Sequence, residues 1–232
     1  MALGHNPSIV TSGLSVCLDA GNPRSYSGSG TAWVDVSGSG YNATLTNGPT
    51  YSSGVNGYFS FDGVDDYLDG PFISPNVGAF TTEVVSYWNT LSTSVIGVWA
   101  YGTSTGLGGG TYIQTWVSTA GIRTDLYAPQ VIGGGWRVGT TQTFAFAAAT
   151  TYFISIVNTG TVWYFYVNGN SIGSYDQSYL ANIGSTRAGP FRDHVQSVGV
   201  AGRYSMFKYY NVSLTATQVA QNFNAVRGRY GI

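Results

Sequence analysis

Four aspartates lie close together in the stretch 58–69, and their spacing suggests two kinds of chemistry. Asp62, Asp65, Asp66 and Asp69 fall within eight positions, although the whole chain has only ten acidic residues. Carboxylate oxygens on a loop can hold a hard cation such as calcium. Alternatively, Asp62 accepts backbone N–H bonds in a turn ahead of the following glycine, while Asp65 and Asp66 are solvated. We weigh the turn above the calcium site, and both interpretations stay open at this point.

The acidic residues do not form the carboxylate pair of a retaining glycosidase. That pair is a nucleophile and an acid about 5 Å apart, and the chain has a single glutamate, Glu83, with no acidic residue beside it. The histidines, His5 and His194, accompany no Gly-x-Ser-x-Gly elbow. The single cysteine, Cys17, lies in an apolar run that is typical of a buried thiol. The sequence therefore predicts a protein that is not an enzyme.

Aromatic residues offer a third kind of chemistry, because a ring can stack on a sugar face while neighbouring polar groups bind the sugar hydroxyls. The candidate carbohydrate-binding residues are Trp99, Tyr101, Trp116, Tyr127 and Trp136. Most aromatic residues of a two-sheet protein fill its core, so packing is the more common role for any one of them.

The composition indicates that strands position these residues. Of 232 residues, 8% are charged and 15% aromatic, with 33 glycines, a composition that excludes disorder and favours short strands joined by turns. The net charge of -1 and the lack of a basic run exclude a nucleic-acid partner. No apolar run approaches the ~20 residues of a membrane helix, and the N-terminus lacks the features of a signal peptide. Synthesis in a cytoplasm without export is expected.

The clearest local patterns are a meander and a terminal helix. Strands are predicted at 152–157, 162–167 and 170–175, with the Asn168-Gly169 pair as a type I′ hairpin turn.

Near the C-terminus, either Ser213 or Thr215 can cap a helix. Gln218 lies three residues after Thr215 as in a capping box, ahead of an apolar stripe at Val219, Phe223 and Val226. The prediction is an all-β, two-sheet antiparallel sandwich. Residues 1–13 form an N-terminal arm, and residues 14–232 form a single domain that ends in a helix at about 214–226.

Four segments together resemble a known family. They are 14–26 (LSVCLDAGNPRSY), 47–51 (NGPTY), 61–67 (FDGVDDY) and the C-terminal stretch 209–230. Their order resembles the concanavalin A-like, laminin G-like jelly-roll domains of tailed bacteriophages, especially marine cyanophages. The resemblance implies a jelly roll and a place on a virion, and its laminin G-like relatives often bind calcium at the sandwich rim.

The functional prediction is a non-enzymatic virion structural protein, either a capsid decoration or a short appendage. The alternative is a lectin-like tail or head fibre adhesin that binds host surface polysaccharide. The sequence lacks a coiled coil or collagen repeat that would form a fibre shaft, which favours decoration. The expected partners are other virion proteins, copies of the chain itself and, in the alternative, host glycans. Neither nucleic acid nor a membrane is expected as a partner.

Overall fold

A computed structural model describes residues 7–70, 72–73, 79–91, 96–102, 112–127, 136–137, 140–176, 186–189 and 201–232. For 72–73, 96–102, 112–114, 116, 124–127, 136–137 and 186–189, the description covers the backbone alone. The elements are β1 (Leu14–Asp19), β2 (Ala32–Trp33), β3 (Ala43–Thr46), β4 (Thr50–Ser52), β5 (Tyr58–Asp62), β6 (Tyr67–Asp69), β7 (Phe72–Ile73), β8 (Phe80–Trp88), β9 (Ile96–Gly102), β10 (Tyr112–Ser118), β11 (Gly121–Tyr127), β12 (Trp136–Arg137), β13 (Gln142–Thr143), β14 (Thr151–Asn158), β15 (Val162–Val167), β16 (Asn170–Asp176), β17 (Thr186–Gly189), β18 (Ala201–Tyr210) and α1 (Ala216–Tyr230).

The strands form two large antiparallel sheets and a small third one. The eight-stranded sheet has the order β16-β15-β14-β8-β18-β5-β4, with β1 also paired to β18. The seven-stranded sheet has the order β12-β11-β10-β9-β17-β7, with β13 paired to β11, and the third sheet is β2-β3-β6. The predicted all-β antiparallel sandwich with a C-terminal helix is confirmed.

The main core lies between the two large sheets. The eight-stranded sheet contributes fully buried aromatic side chains such as Trp88, Trp163 and Phe207, and the seven-stranded sheet contributes Val117 and Ile122. Large aromatic side chains dominate the burial of apolar surface in such a core.

The opposite face of the eight-stranded sheet is also covered. Val85, Phe153 and Met206 point away from the main core and pack with Val226 of α1 and with Ile9. Because alternate residues of a strand point to opposite faces, β8 is buried on both sides along most of its length. The fold therefore has three layers: the seven-stranded sheet, the eight-stranded sheet, and an outer layer formed by α1 and residues near the N-terminus.

The terminal helix confirms its predicted cap and extends further than expected. The Thr215 and Gln218 side chains form a capping box. The helix ends at Tyr230 rather than near residue 226. Gly231 caps the C-terminal end of the helix with a left-handed φ of 68°. The last turn is held by Arg229, whose guanidinium donates to both oxygens of the Asp19 carboxylate at 2.8 and 2.6 Å.

The predicted meander is confirmed as β14, β15 and β16. Asn168 and Gly169 have φ values of 48° and 75°, the two left-handed positions that a type I′ turn requires. The Asn168 side chain also accepts a hydrogen bond from the Phe153 N–H at 2.9 Å, which ties the turn to the neighbouring strand.

The aspartate-rich stretch connects two different sheets. Its first strand, β5, pairs with β18 and β4, whereas its second strand, β6, pairs with β3 of the small sheet. The turn between them is thus a crossover and not a hairpin. The part of the chain that the structure describes contains no helix long and apolar enough to cross a membrane.

Candidate functional site

Two tyrosines and an arginine form a half-buried surface on the outer face of the eight-stranded sheet. Tyr58, Arg203 and Tyr87 lie on the adjacent strands β5, β18 and β8, and Arg203 is directly opposite Tyr87 in the β8–β18 register. The Arg203 Cζ lies 4.7 Å from the Tyr58 ring centroid and 4.4 Å from the Tyr87 ring centroid. We call these three residues the Arg203 platform.

The two ring contacts hold the guanidinium from the side of the aromatic rings. Each cation–π contact stabilises the arrangement by roughly 0.5–1 kcal/mol at a partly exposed position. The N–H donors of a guanidinium lie in its plane, so rings placed over it leave the donors directed along its edges. A platform of this kind can stack phenol rings on a flat ligand face and donate to hydroxyl or carboxylate oxygens.

The crossover turn places three carboxylates at the end of the same strand. Asp62 lies on the face of β5 that carries Tyr58, since the side chains of Phe59 and Phe61 between them are buried in the main core. Carboxylate oxygens of Asp62, Asp65 and Asp66 lie within 4.8 Å of one another. We call these three residues the acid turn.

The acid turn contains the hydrogen bonds of an Asx-type turn. The Val64 N–H donates to Asp62 Oδ1 at 2.7 Å, and the Asp62 N–H donates to Asp66 Oδ2 at 3.0 Å. The expectation that Asp66 is solvated is wrong, because its side chain is only 6% exposed. Asp69 lies on β6 opposite Thr44, outside this group of carboxylates.

Burial changes the ionisation of the acid turn. Desolvation raises the pKa of the Asp66 carboxyl, and the nearby charges of Asp62 and Asp65 raise it further, against the lowering effect of the hydrogen bond from the Asp62 N–H. The carboxylate oxygens of the acid turn are hard ligands of the type that calcium prefers. The three side chains therefore fit a calcium ion as well as they fit a turn.

The sequence-predicted carbohydrate-binding residues all lie on the seven-stranded sheet. Trp99 and Tyr101 are on β9, Trp116 is on β10, and Tyr127 on β11 is paired with Trp136 on β12. The structure thus brings them to four neighbouring strands. Their side chains lie outside the described residues, and their role stays a prediction.

Glu83, the residue that a hydrolytic mechanism would have used, is enclosed. Its side chain is 1% exposed, and its carboxylate is bound by Lys208 and Asn222 between the eight-stranded sheet and α1. It cannot touch a sugar on the surface.

Sequence reasoning did not find the Arg203 platform. The alternation of Tyr58, Phe59 and Ser60 indicated which side chain of β5 faces away from the core, but its partners Tyr87 and Arg203 come from distant parts of the chain. Only the strand order brings the three together.

No protein-family model matches the sequence, and no curated protein is significantly similar to it. Solved structures are similar in fold. A mutant of Trypanosoma rangeli sialidase that displays trans-sialidase activity aligns with a TM-score of 0.70 and 14% identity, over 97% of this chain and 35% of the sialidase. The chain therefore spans about a third of the length of that enzyme.

Two further domains are similar over a larger share of their own length. The binding domain of Paraclostridial Mosquitocidal Protein 1 aligns with a TM-score of 0.66 and 13% identity, over 92% of this chain and 52% of that one. Domain 4 of AbnA, an extracellular arabinanase of Geobacillus stearothermophilus solved with arabinotriose, aligns with a TM-score of 0.66 and 12% identity, over 90% and 97%.

The sialidase structures correct one prediction. The protein was expected not to be an enzyme because the chain lacks a carboxylate pair, and this expectation is wrong, since the structures that share its fold include enzymes. The reasoning failed because the carboxylate pair is not universal among glycosidases, and sialidases use a tyrosine nucleophile instead.

At 12–14% identity these likenesses concern the fold. The chain is a jelly-roll-like β-sandwich of the kind found in sialidase and glycoside-hydrolase domains.

Proposed function

We propose that this protein is a carbohydrate-binding β-sandwich domain. The observation that carries the proposal is the similarity to Domain 4 of AbnA, because nearly all of a domain solved with arabinotriose has the fold of this chain. That domain binds its sugar as part of an arabinanase, and we transfer to this chain only the class of ligand.

The Arg203 platform supports the proposal from within the chain. Tyr58 and Tyr87 present half-buried rings, and Arg203 between them offers in-plane donors for sugar hydroxyls or for the carboxylate of an acidic sugar. Asp62 at the end of the same strand face can accept hydrogen bonds from hydroxyls. Aromatic rings beside charged hydrogen-bonding groups suit a sugar ring, which has both apolar C–H faces and hydroxyl groups.

A glycan array with the purified full chain tests the proposal. We expect saturable binding to at least one glycan, and a flat array with folded protein would refute it. An Arg203→Ala variant should lose at least tenfold in affinity, whereas Tyr41→Ala, which removes a ring that is 38% exposed elsewhere on the surface, should bind like the wild type.

The seven-stranded sheet is the competing surface for the same function. If it binds the glycan, Trp99→Ala or Trp136→Ala will abolish the array signal and Arg203→Ala will leave it unchanged. Measuring released reducing ends with each bound glycan then shows whether the domain only binds or also hydrolyses its ligand.

For the biological setting, we propose a virion component, as a capsid decoration, a short appendage or a fibre adhesin that binds host surface glycans. The resemblance of four segments to phage jelly-roll domains supports this setting. A surface of low charge also packs against other virion proteins or copies of itself with little desolvation cost. The test is to locate the chain in a map of the intact particle, and its absence from purified particles would refute the setting.

Calcium at the acid turn is a separate proposal that competes with simple turn chemistry. Thermal unfolding with and without a chelator separates them. Bound calcium predicts a midpoint that falls on chelation in the wild type and does not change in Asp65→Ala. A wild-type midpoint that does not move leaves the acid turn as a structural element.

A further inference from the structure

Three polar side chains form a buried cluster between the eight-stranded sheet and α1. Glu83 on β8, Lys208 on β18 and Asn222 on α1 are 1%, 1% and 0% exposed. Glu83 and Lys208 are the single glutamate and the single lysine of the chain. A protein with so few charged residues therefore places both of these in one enclosed position beside an amide.

The Glu83 carboxylate contacts both of the other groups. Lys208 Nζ donates to Glu83 Oε2 at 3.2 Å, and Asn222 Nδ2 lies 3.0 Å from each of the two carboxylate oxygens. Oε2 is thus shared by the amine and the amide. Lys208 is also directly opposite Glu83 in the β8–β18 register, so the backbone fixes the amine at this place.

The surrounding groups orient the amide and keep the cluster dry. Asn222 Oδ1 accepts a hydrogen bond from the Val10 N–H at 2.7 Å, and a donor at this oxygen stabilises negative charge that develops on it. Asn222 Nδ2 also donates to Tyr210 Oη at 2.9 Å. The Phe153 ring centroid lies 5.7 Å from Lys208 Nζ, and the apolar residues around it exclude water.

A purely structural ion pair is a weak explanation for this arrangement. Buried ion pairs are often no more stabilising than apolar residues of the same size, because both charges lose their hydration. The cluster instead holds an amine, an amide and an acid–base group in one place. Such an arrangement makes the reaction of the amine with the amide intramolecular, which accelerates it.

We propose that Lys208 and Asn222 form an intramolecular isopeptide bond, with Glu83 as the catalytic acid–base. The Lys208 ammonium passes a proton to Glu83 Oε2, and the neutral Nζ attacks Asn222 Cγ. Glu83 delivers a proton to Asn222 Nδ2 and takes one from Nζ, the Cγ–Nδ2 bond breaks, and ammonia leaves. The product is a secondary amide with one surplus proton on Glu83, and the reaction needs no oxidant or other reactant.

The bond would join β18 covalently to α1. It would enclose the sequence between Lys208 and Asn222 in a ring, and it would fix the outermost layer of the fold to the eight-stranded sheet. This inference does not depend on the carbohydrate-binding proposal, since none of the three groups reaches the surface.

The first test is the intact mass of the full-length protein in denaturant. We expect the wild type to be lighter than its sequence mass by one ammonia. Lys208→Met and Glu83→Gln should have their full sequence masses, while Asn224→Ala, a change on the same helix outside the cluster, should keep the deficit. Asn222→Asp retains the side-chain shape and should lose one water instead of ammonia, which separates lost chemistry from lost folding.

Peptide mapping locates the bond. Trypsin should cut after Arg203 and Arg227 but not after an acylated Lys208, giving peptide 204–227 with the deficit in place of peptides 204–208 and 209–227. Succinimides at the Asn-Gly pairs of Asn47, Asn56 and Asn168 also lose ammonia, but they leave the cleavage after Lys208 unchanged. Full sequence mass together with complete cleavage after Lys208 in the wild type would overturn the proposal.

Discussion

The Asp35 carboxylate offers the sharpest stability prediction, because one buried side chain satisfies four donors. Asp35 is 8% exposed. Its Oδ1 accepts from the Cys17 N–H and the Ser37 N–H at 2.8 Å each, and its Oδ2 accepts from Ser37 Oγ at 2.8 Å and the Tyr41 N–H at 3.1 Å. The side chain thereby connects β1 to the loop between β2 and β3.

The magnitude follows from the number of donors that lose their acceptor. An unsatisfied buried donor costs about 1–3 kcal/mol, and the Asp35→Ala variant leaves three backbone donors without one. Some of them will find water, so we expect Asp35→Ala to lower the free energy of unfolding by about 3–5 kcal/mol. Asp35→Asn keeps one acceptor oxygen and places an amide against the remaining donors, so we expect a smaller loss of roughly 2 kcal/mol.

Urea unfolding at fixed pH, followed by tryptophan fluorescence, measures both losses. Asp176→Asn is the matched control, since its side chain is exposed at the end of β16 and substitutions at such positions usually change stability by less than about 0.5 kcal/mol. The reasoning is refuted if Asp35→Ala costs less than about 1 kcal/mol with an unchanged denaturant slope, or if Asp35→Asn costs more than Asp35→Ala.

Three further predictions concern other positions in the fold. Burial raises the pKa of the Cys17 thiol to about 11, so iodoacetamide at pH 8 should label the native protein slowly and the denatured protein rapidly; rapid native labelling measured by mass would contradict this. Because the pKa of Asp66 is raised in the folded state, the native state binds that proton more tightly, and the free energy of unfolding should fall as pH rises from about 4 through the raised pKa. Asp66→Asn should remove this slope in urea titrations, and parallel profiles for the two proteins would disprove the assignment. Gly63 has a φ of 83°, and a Cβ there would lie 2.9 Å from the Ala201 backbone nitrogen, so Gly63→Ala should lower stability by about 1–3 kcal/mol, measured as a shift of the urea midpoint; an unchanged midpoint would show that the turn can relax.

Local signals in the sequence predicted the elements that depend on local physics. The Asn168-Gly169 pair specified a hairpin because few other residues adopt left-handed φ at both turn positions. The Thr215 and Gln218 side chains specified the start of α1 because they satisfy backbone donors within their own turn. Neither needs information from the rest of the fold.

Features that depend on pairing between distant strands could not be predicted. The sequence of β8 does not distinguish an inner from an outer face, because β8 is covered by the main core on one side and by α1 on the other. The burial of Asp66 was also not predicted. It depends on the crossover of the chain after β5 from the eight-stranded sheet to the small sheet. The Arg203 platform requires the order β8-β18-β5, which no local pattern contains.

The enclosure of Lys208 has a consequence for the charge and the chemical reactivity of the protein surface. The chain has no second lysine, so every side chain left for the surface that carries a permanent positive charge is an arginine. Guanidinium groups stay protonated well beyond the pH of about 10.4 at which lysine amines lose their charge. They are also more weakly hydrated than ammonium groups and can stack flat on other surfaces. Above the pH range in which its two histidines lose their charge, the positive charge of the side chains is therefore constant through the range in which lysine amines titrate. Amine-directed labels and crosslinkers will not find a side chain to react with on the folded surface.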